Sequence, residues 1–102
     1  MADTNGTAKI LCVEQDLAVR ESRCAVLSYS GYDSASATPH LAEIVLRSQK
    51  FDLIVLSTMS DYEKDRILGL ADGADVLVLD GFTMPLELLW LVAERLNRQQ
   101  RA

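Results

Sequence analysis

"FDLIVLSTMSD", residues Phe51 to Asp61, decides how the chain folds. Phe51 to Leu56 is a short, nearly continuous apolar run, the pattern of a parallel strand covered on both faces together with its lead-in. The run stops at Ser57. Ligands of parallel α/β sheets sit at the carboxyl ends of the strands, so this serine stands where chemistry is expected.

Working outward, "KILCV" (Lys9–Val13) is a second buried run and "DVLVLD" (Asp75–Asp80) a further one. "YDSASA" (Tyr32–Ala37) is more polar and suits an edge strand. Helical segments fill the gaps. Asp16 is placed to cap "LAVRESRCAVLSYS", and Gly31 to stop it. Val19, Val26 and Leu27 lie near one face of that helix, opposite Arg20, Glu21 and Arg23. Thr38 followed by Pro39 starts a second helix, and Leu41, Ile44, Val45 and Phe51 carry the apolar stripe of that unit. Ser60 and Glu63 have capping-box spacing, with Asp61 and Asp65 adding negative charge to the first turn; Ile67, Leu68 and Ala71 form the third helix's buried face, and Gly73 ends it. Thr83 is expected to cap the last helix, "MPLELLWLVAERLNRQ". Strand and helix thus alternate along the whole chain, which argues for a parallel α/β sheet with crossover helices. The strand ends carry Glu14, Gln15 and Asp16, then Ser57 and Thr58, then Asp80 and Gly81.

The chain has 102 residues, enough for one domain. We expect a polar tail over 1–8, a domain over 9–98 and a frayed end over 99–102. Hydrophobic residues make up 49% and charged residues 25%, an ordinary globular balance. The net charge of -5 opposes binding to a phosphate backbone. The one dense basic stretch, "RLNRQQRA", suits a helix end better than a nucleic-acid grip. Cys12 and Cys24 match no metal or redox spacing and read as buried free thiols of a reducing compartment. "MADTNGTA" has no apolar core, and no apolar run approaches the ~20 residues that span a bilayer. A cytoplasmic protein with no membrane and no nucleic-acid partner is the expectation.

Several stretches together resemble the receiver domains of response regulators in two-component signalling. "AKILCVEQDLAVRESRCAVLSYSGYDSASA" is similar to their opening: apolar strand, acidic pair, and a helix ending in Gly-Tyr. "FDLIVLS" looks like their third strand, which ends in the phosphoacceptor aspartate. "DRILGLADGADVLVLDGFT" is similar to the later stretch in which a helix ends in Gly-Ala-Asp before the last strand and a Lys-Pro-Phe-Thr/Ser motif. The resemblance covers Lys9 to Leu96. It implies a three-layer, flavodoxin-like sandwich whose parallel sheet has four strands in the order 2-1-3-4, one βα unit short of the family's five.

The departures bear on function. A working receiver moves a phosphoryl group onto a strand-end Asp, with carboxylate-held Mg²⁺ and a Lys balancing the charge. Here Glu14 matches the first acidic position and Gln15 leaves the second uncharged. Ser57 stands in the acceptor slot, or in the slot of the family's phosphoryl-contacting Ser/Thr if the strand is a fusion of the third and fourth. Asp80 replaces the Lys, and Gly81 the Pro. The resemblance therefore implies a degenerate receiver, a signalling and interaction module outside aspartyl phosphorelay and not an enzyme. Two alternatives stand beside it. Phosphate could reach a displaced carboxylate such as Asp61, or Glu14 and Asp80 could act as acid and base in a small metal-binding enzyme.

Ser57 as a nucleophile needs a base, and the single histidine, His40, falls in the first turn of the second helix. Glu14, Asp16 and Asp80 are candidate oxygen ligands for a weakly held Mg²⁺ or Ca²⁺; no other cofactor is expected. On the last helix, Leu86, Leu89, Trp90, Val92, Ala93 and Leu96 fall on a broad core-facing stripe, which leaves Leu88 and Leu91 on a flank. Val76–Leu79 is the expected new sheet edge, wholly apolar and in need of cover. Together these suggest a homodimer whose interface includes Val76, Val78, Leu88, Trp90 and Leu91.

Overall fold

Strand β1 (Lys9–Val13) and strand β3 (Leu53–Leu56) form the centre of the sheet. In the computed structural model, which describes residues 7–57, 60–80 and 82–101, they are flanked by β2 (Asp33–Ala37) and β4 (Asp75–Val78). The order is β2-β1-β3-β4, and every pairing is parallel. The sheet is four-stranded, as the resemblance implied.

Alternation along the strands builds two cores. Ile10, Cys12, Leu53, Val55 and Leu77 point to one face, where Leu27 of α1 (Leu17–Tyr29) and Leu88 and Val92 of α4 (Pro85–Arg101) cover them. Leu11, Val13, Ile54 and Leu56 point to the other, against Ala42 and Leu46 of α2 (Pro39–Ser48) and Ile67 of α3 (Asp61–Leu70). The product is a three-layer α/β sandwich. Covering both faces of β1 and β3 explains why their sequences are continuously apolar rather than alternating.

Most helix boundaries follow from capping chemistry. Asp16 accepts from the Val19 N–H at 3.0 Å, and Thr38 from the Leu41 N–H at 3.3 Å with Pro39 at the first helical position. Ser60 and Glu63 complete a reciprocal capping box. At the end of α1 the Tyr32 N–H reaches the Leu27 carbonyl and the Gly31 N–H reaches that of Ser28, a Schellman turn that requires the φ of +97° found at Gly31. Beyond α3, Asp72 and Gly73 both take positive φ.

The last helix departs from expectation at its start. The Met84 carbonyl accepts the first helical bond, from the Leu88 N–H, so Met84 and not Thr83 holds the cap position. The Thr83 hydroxyl instead donates to Asp80. At the other end α4 runs to Arg101, and the Gln99 side chain donates to the Asp52 carbonyl at 3.0 Å. Of the expected tail, residues 1–6 lie outside the described residues, while the Ala8 carbonyl accepts from the Asp33 N–H.

The helical faces also need correction. Leu41, Ile44 and Leu68, expected in the core, are exposed; Ala42 and Leu46 are buried in α2, and Ile67 is buried in α3 as expected. In α4, Leu88 is 1% exposed and Val92 is fully buried, whereas Leu86 is 81% and Trp90 63% exposed. The core-facing stripe is therefore rotated by about one residue from the expected one. The apolar arc of both α2 and α4 is wider than the face each can bury, so periodicity alone does not fix the rotation. In α2 the small Ala42 allows close approach to the sheet. In α4 the polar anchors Arg95 and Gln99 reach the strands and set the rotation.

Candidate functional site

Glu14, the residue after β1, is buried at the carboxyl end of the sheet. Its Oε2 accepts from the Asp16 N–H at 2.8 Å, and its Oε1 lies 3.6 Å from Arg23 Nη1. Arg23 projects from α1, and its side chain is only 8% exposed. Its Nη2 donates to the Asp80 carbonyl at 3.4 Å, so one guanidinium spans from the end of β1 to the segment after β4. Arg20 adds a second contact by donating from Nη1 to the Glu14 carbonyl at 3.0 Å.

Arg23 was expected on the solvent face beside Arg20 and Glu21. It is buried because Glu14 supplies the opposite charge that offsets desolvation of the guanidinium. The signal was present in the spacing: Arg23 stands one helical turn before Leu27, on the buried line of α1. Charged character outweighed position in the sequence reading.

The three candidate metal ligands are each engaged separately. Glu14 faces Arg23, Asp16 caps α1, and Asp80 Oδ1 accepts from the Phe82 N–H at 2.8 Å and the Thr83 hydroxyl at 3.2 Å. Among the described residues, no group of three His, Cys, Asp or Glu side chains is placed to hold a metal ion. The residues present do not fit the divalent cation that the resemblance implies. Gln15 brings no charge, and a guanidinium lies against the one buried carboxylate.

Ser57 is 2% exposed, and its N–H donates to the Val13 carbonyl at 3.2 Å. Its hydroxyl has no hydrogen-bond partner among the described residues. His40 is exposed in the first turn of α2, and no hydrogen bond joins it to the Ser57 hydroxyl. It offers Ser57 no base. Thr58 and Gly81 lie outside the described residues. Asp61, the displaced-acceptor candidate, is exposed on the first turn of α3, 3.9 Å from Lys64.

Cys12 and Cys24 are free thiols; Cys12 is buried and Cys24 half-buried. Burial first and the neighbouring Cys24 second push the Cys12 thiol up to about 12, against an opposing pull from Arg23. A thiol held neutral this way is a packing group rather than a nucleophile.

Of the expected interface residues, Val78 and Trp90 are exposed and Val76 is half-buried. Leu88 belongs to the core, and Leu91 packs partly against it, so neither forms the exposed flank expected of them. Phe82, Met84 and Leu86 are exposed as well, Leu86 in place of the core position expected of it.

No family model and no curated protein matches this sequence. Solved structures do match its shape. A CheY-like response regulator receiver domain protein from Methanospirillum hungatei JF-1 aligns with a TM-score of 0.69 at 19% identity, covering 93% of this chain and 98% of that one. The fold is that of a receiver domain. The receiver domain of Francisella response regulator 1452 gives 0.69 at 16% identity, over 90% of this chain and 98% of its own. The signal receiver domain of a histidine kinase from Syntrophus aciditrophicus gives 0.66 at 17%, over 93% and 94%. On this receiver fold, Glu14, Ser57 and Asp80 all follow strands at the carboxyl end of the sheet, where the sequence placed them.

Proposed function

We propose that this chain is a degenerate member of the response-regulator receiver family, a cytoplasmic signalling and interaction domain that is not phosphorylated at an aspartate and is not an enzyme. The observation that carries this reading is the buried Arg23 guanidinium seated against Glu14. A metal-assisted phosphoryl acceptor needs clustered carboxylates and a free anionic nucleophile. This site offers one carboxylate already facing a cation, a neutral Gln15, a buried Ser57 and an Asp80 turned into its own loop. Regulation then comes from protein contacts. A second copy of the chain is the partner we favour, docked on the exposed apolar patch of Leu86 and Trp90 on the outer side of α4.

Incubating the purified protein with acetyl phosphate and Mg²⁺, followed by intact-mass measurement, tests the reading. We expect no added phosphoryl mass. A magnesium-dependent acyl phosphate on Asp61, Asp80 or any other aspartate would overturn it.

A further inference from the structure

The open edge of the sheet is not bare. Along β4, the Asp75 N–H donates to the Asp52 carbonyl and the Leu79 N–H to that of Leu56, so alternate residues from Asp75 to Leu79 turn their backbone groups toward β3. Val76 and Val78 turn theirs the other way, toward the free edge. Both outward groups of Val76 are taken. Its N–H donates to Asp75 Oδ1 at 2.8 Å, and its carbonyl accepts from Arg95 Nη1 at 2.6 Å. The same Arg95 nitrogen lies 3.3 Å from Asp75 Oδ1, which joins the two contacts into one closed cluster. Among the described residues, nothing pairs the outward groups of Val78, whose side chain is 55% exposed.

From this geometry we propose that Asp75 and Arg95 form a latch closing the β4 edge against strand pairing with a second copy of the chain. An added strand needs at least two consecutive outward residues to hydrogen-bond, and the latch occupies one of the two that β4 presents. Arg95 reaches the edge from α4, so the helix that covers one face of the sheet also guards its rim. The inference is independent of whether the strand ends can hold phosphate. It confines self-association to side-chain surfaces such as the outer face of α4, and it explains how a wholly apolar edge run is tolerated.

The test compares Arg95→Met, Arg95→Lys and the wild type by light scattering and sedimentation across a concentration series. Arg95→Met frees the Val76 carbonyl and removes the anchor of Asp75. It should self-associate at roughly tenfold lower concentration, the scale of one or two recovered net hydrogen bonds. Arg95→Lys keeps a donor and should stay close to wild type. Adding Val78→Pro removes the remaining outward N–H without touching a bond to β3, and should reverse the association of Arg95→Met. Association of Arg95→Met equal to wild type, or an excess over wild type that survives Val78→Pro, overturns the proposal. Should circular dichroism show Arg95→Met unfolded, Asp75→Ala opens the same edge from the other end of the latch, with the same expected and overturning results.

Discussion

A guanidinium and a carboxylate taken out of water lose hydration worth several kcal/mol each, which their mutual attraction repays only when both remain. Arg23 and Glu14 are such a pair, with side chains 8% and 10% exposed. Arg23→Met leaves Glu14 facing an apolar neighbour, and Glu14→Gln leaves Arg23 without its counter-charge. Each single change should cost about 3 kcal/mol in urea denaturation, and the double change clearly less than the sum. Additive losses would mean that the two residues contribute independently. Ser57 behaves differently. Its buried hydroxyl answers no partner among the described residues, so Ser57→Ala should leave stability unchanged or raise it by about 1 kcal/mol. Identity at these positions was readable in the sequence. Burial of Arg23 was not, because whether a charge goes inside depends on a partner from another element.

Helix ends are local chemistry, and they were legible one by one: Asp16, Thr38 with Pro39, and the Ser60–Glu63 box each lie where the chain enters a helix. Ser60→Ala removes an acceptor for the Glu63 N–H and one side of the reciprocal box. It should cost about 1 kcal/mol by the same denaturation measurement, with little change in the native fold by circular dichroism. Thr83 failed as a cap because the helix begins one residue later, with the Met84 carbonyl accepting the first helical bond while the Thr83 hydroxyl donates to Asp80. Helix rotation failed for a broader reason. Where the apolar arc of a helix is wider than the face it can bury, as in α2 and α4, the hydrophobic effect favours burial without fixing the exact rotation. The rotation is then settled by close-packing small residues and by polar anchors such as Arg95, which only become visible once the sheet is in place.

At the scale of the whole molecule, α1 and α4 share one side of the sheet and α2 and α3 the other, leaving the outer face of α4 to solvent. Leu86 and Trp90 stand there one turn apart, and Phe82 and Met84 in the segment before α4 are also exposed. Replacing Leu86 and Trp90 together by glutamate should shift the protein from dimer to monomer in sedimentation while leaving its thermal midpoint nearly unchanged, since neither side chain belongs to a core. A wild-type protein that sediments as a monomer at high concentration would remove the dimer from the account. No helix among the described residues is long and apolar enough to cross a membrane.

The sequence by itself determined the alternating βα architecture, the caps of the first three helices, and which residue types, Glu14, Ser57 and Asp80, stand at the strand ends. Each of these is carried by residue type at local spacing. Only the tertiary structure decided that Arg23 lies inside against Glu14, that Leu88 and not Trp90 faces the core, and that Arg95 closes the β4 edge. Those outcomes depend on which groups from distant parts of the chain meet. A charge or an apolar side chain has no fixed place until its neighbours across the fold set the energy of burying it.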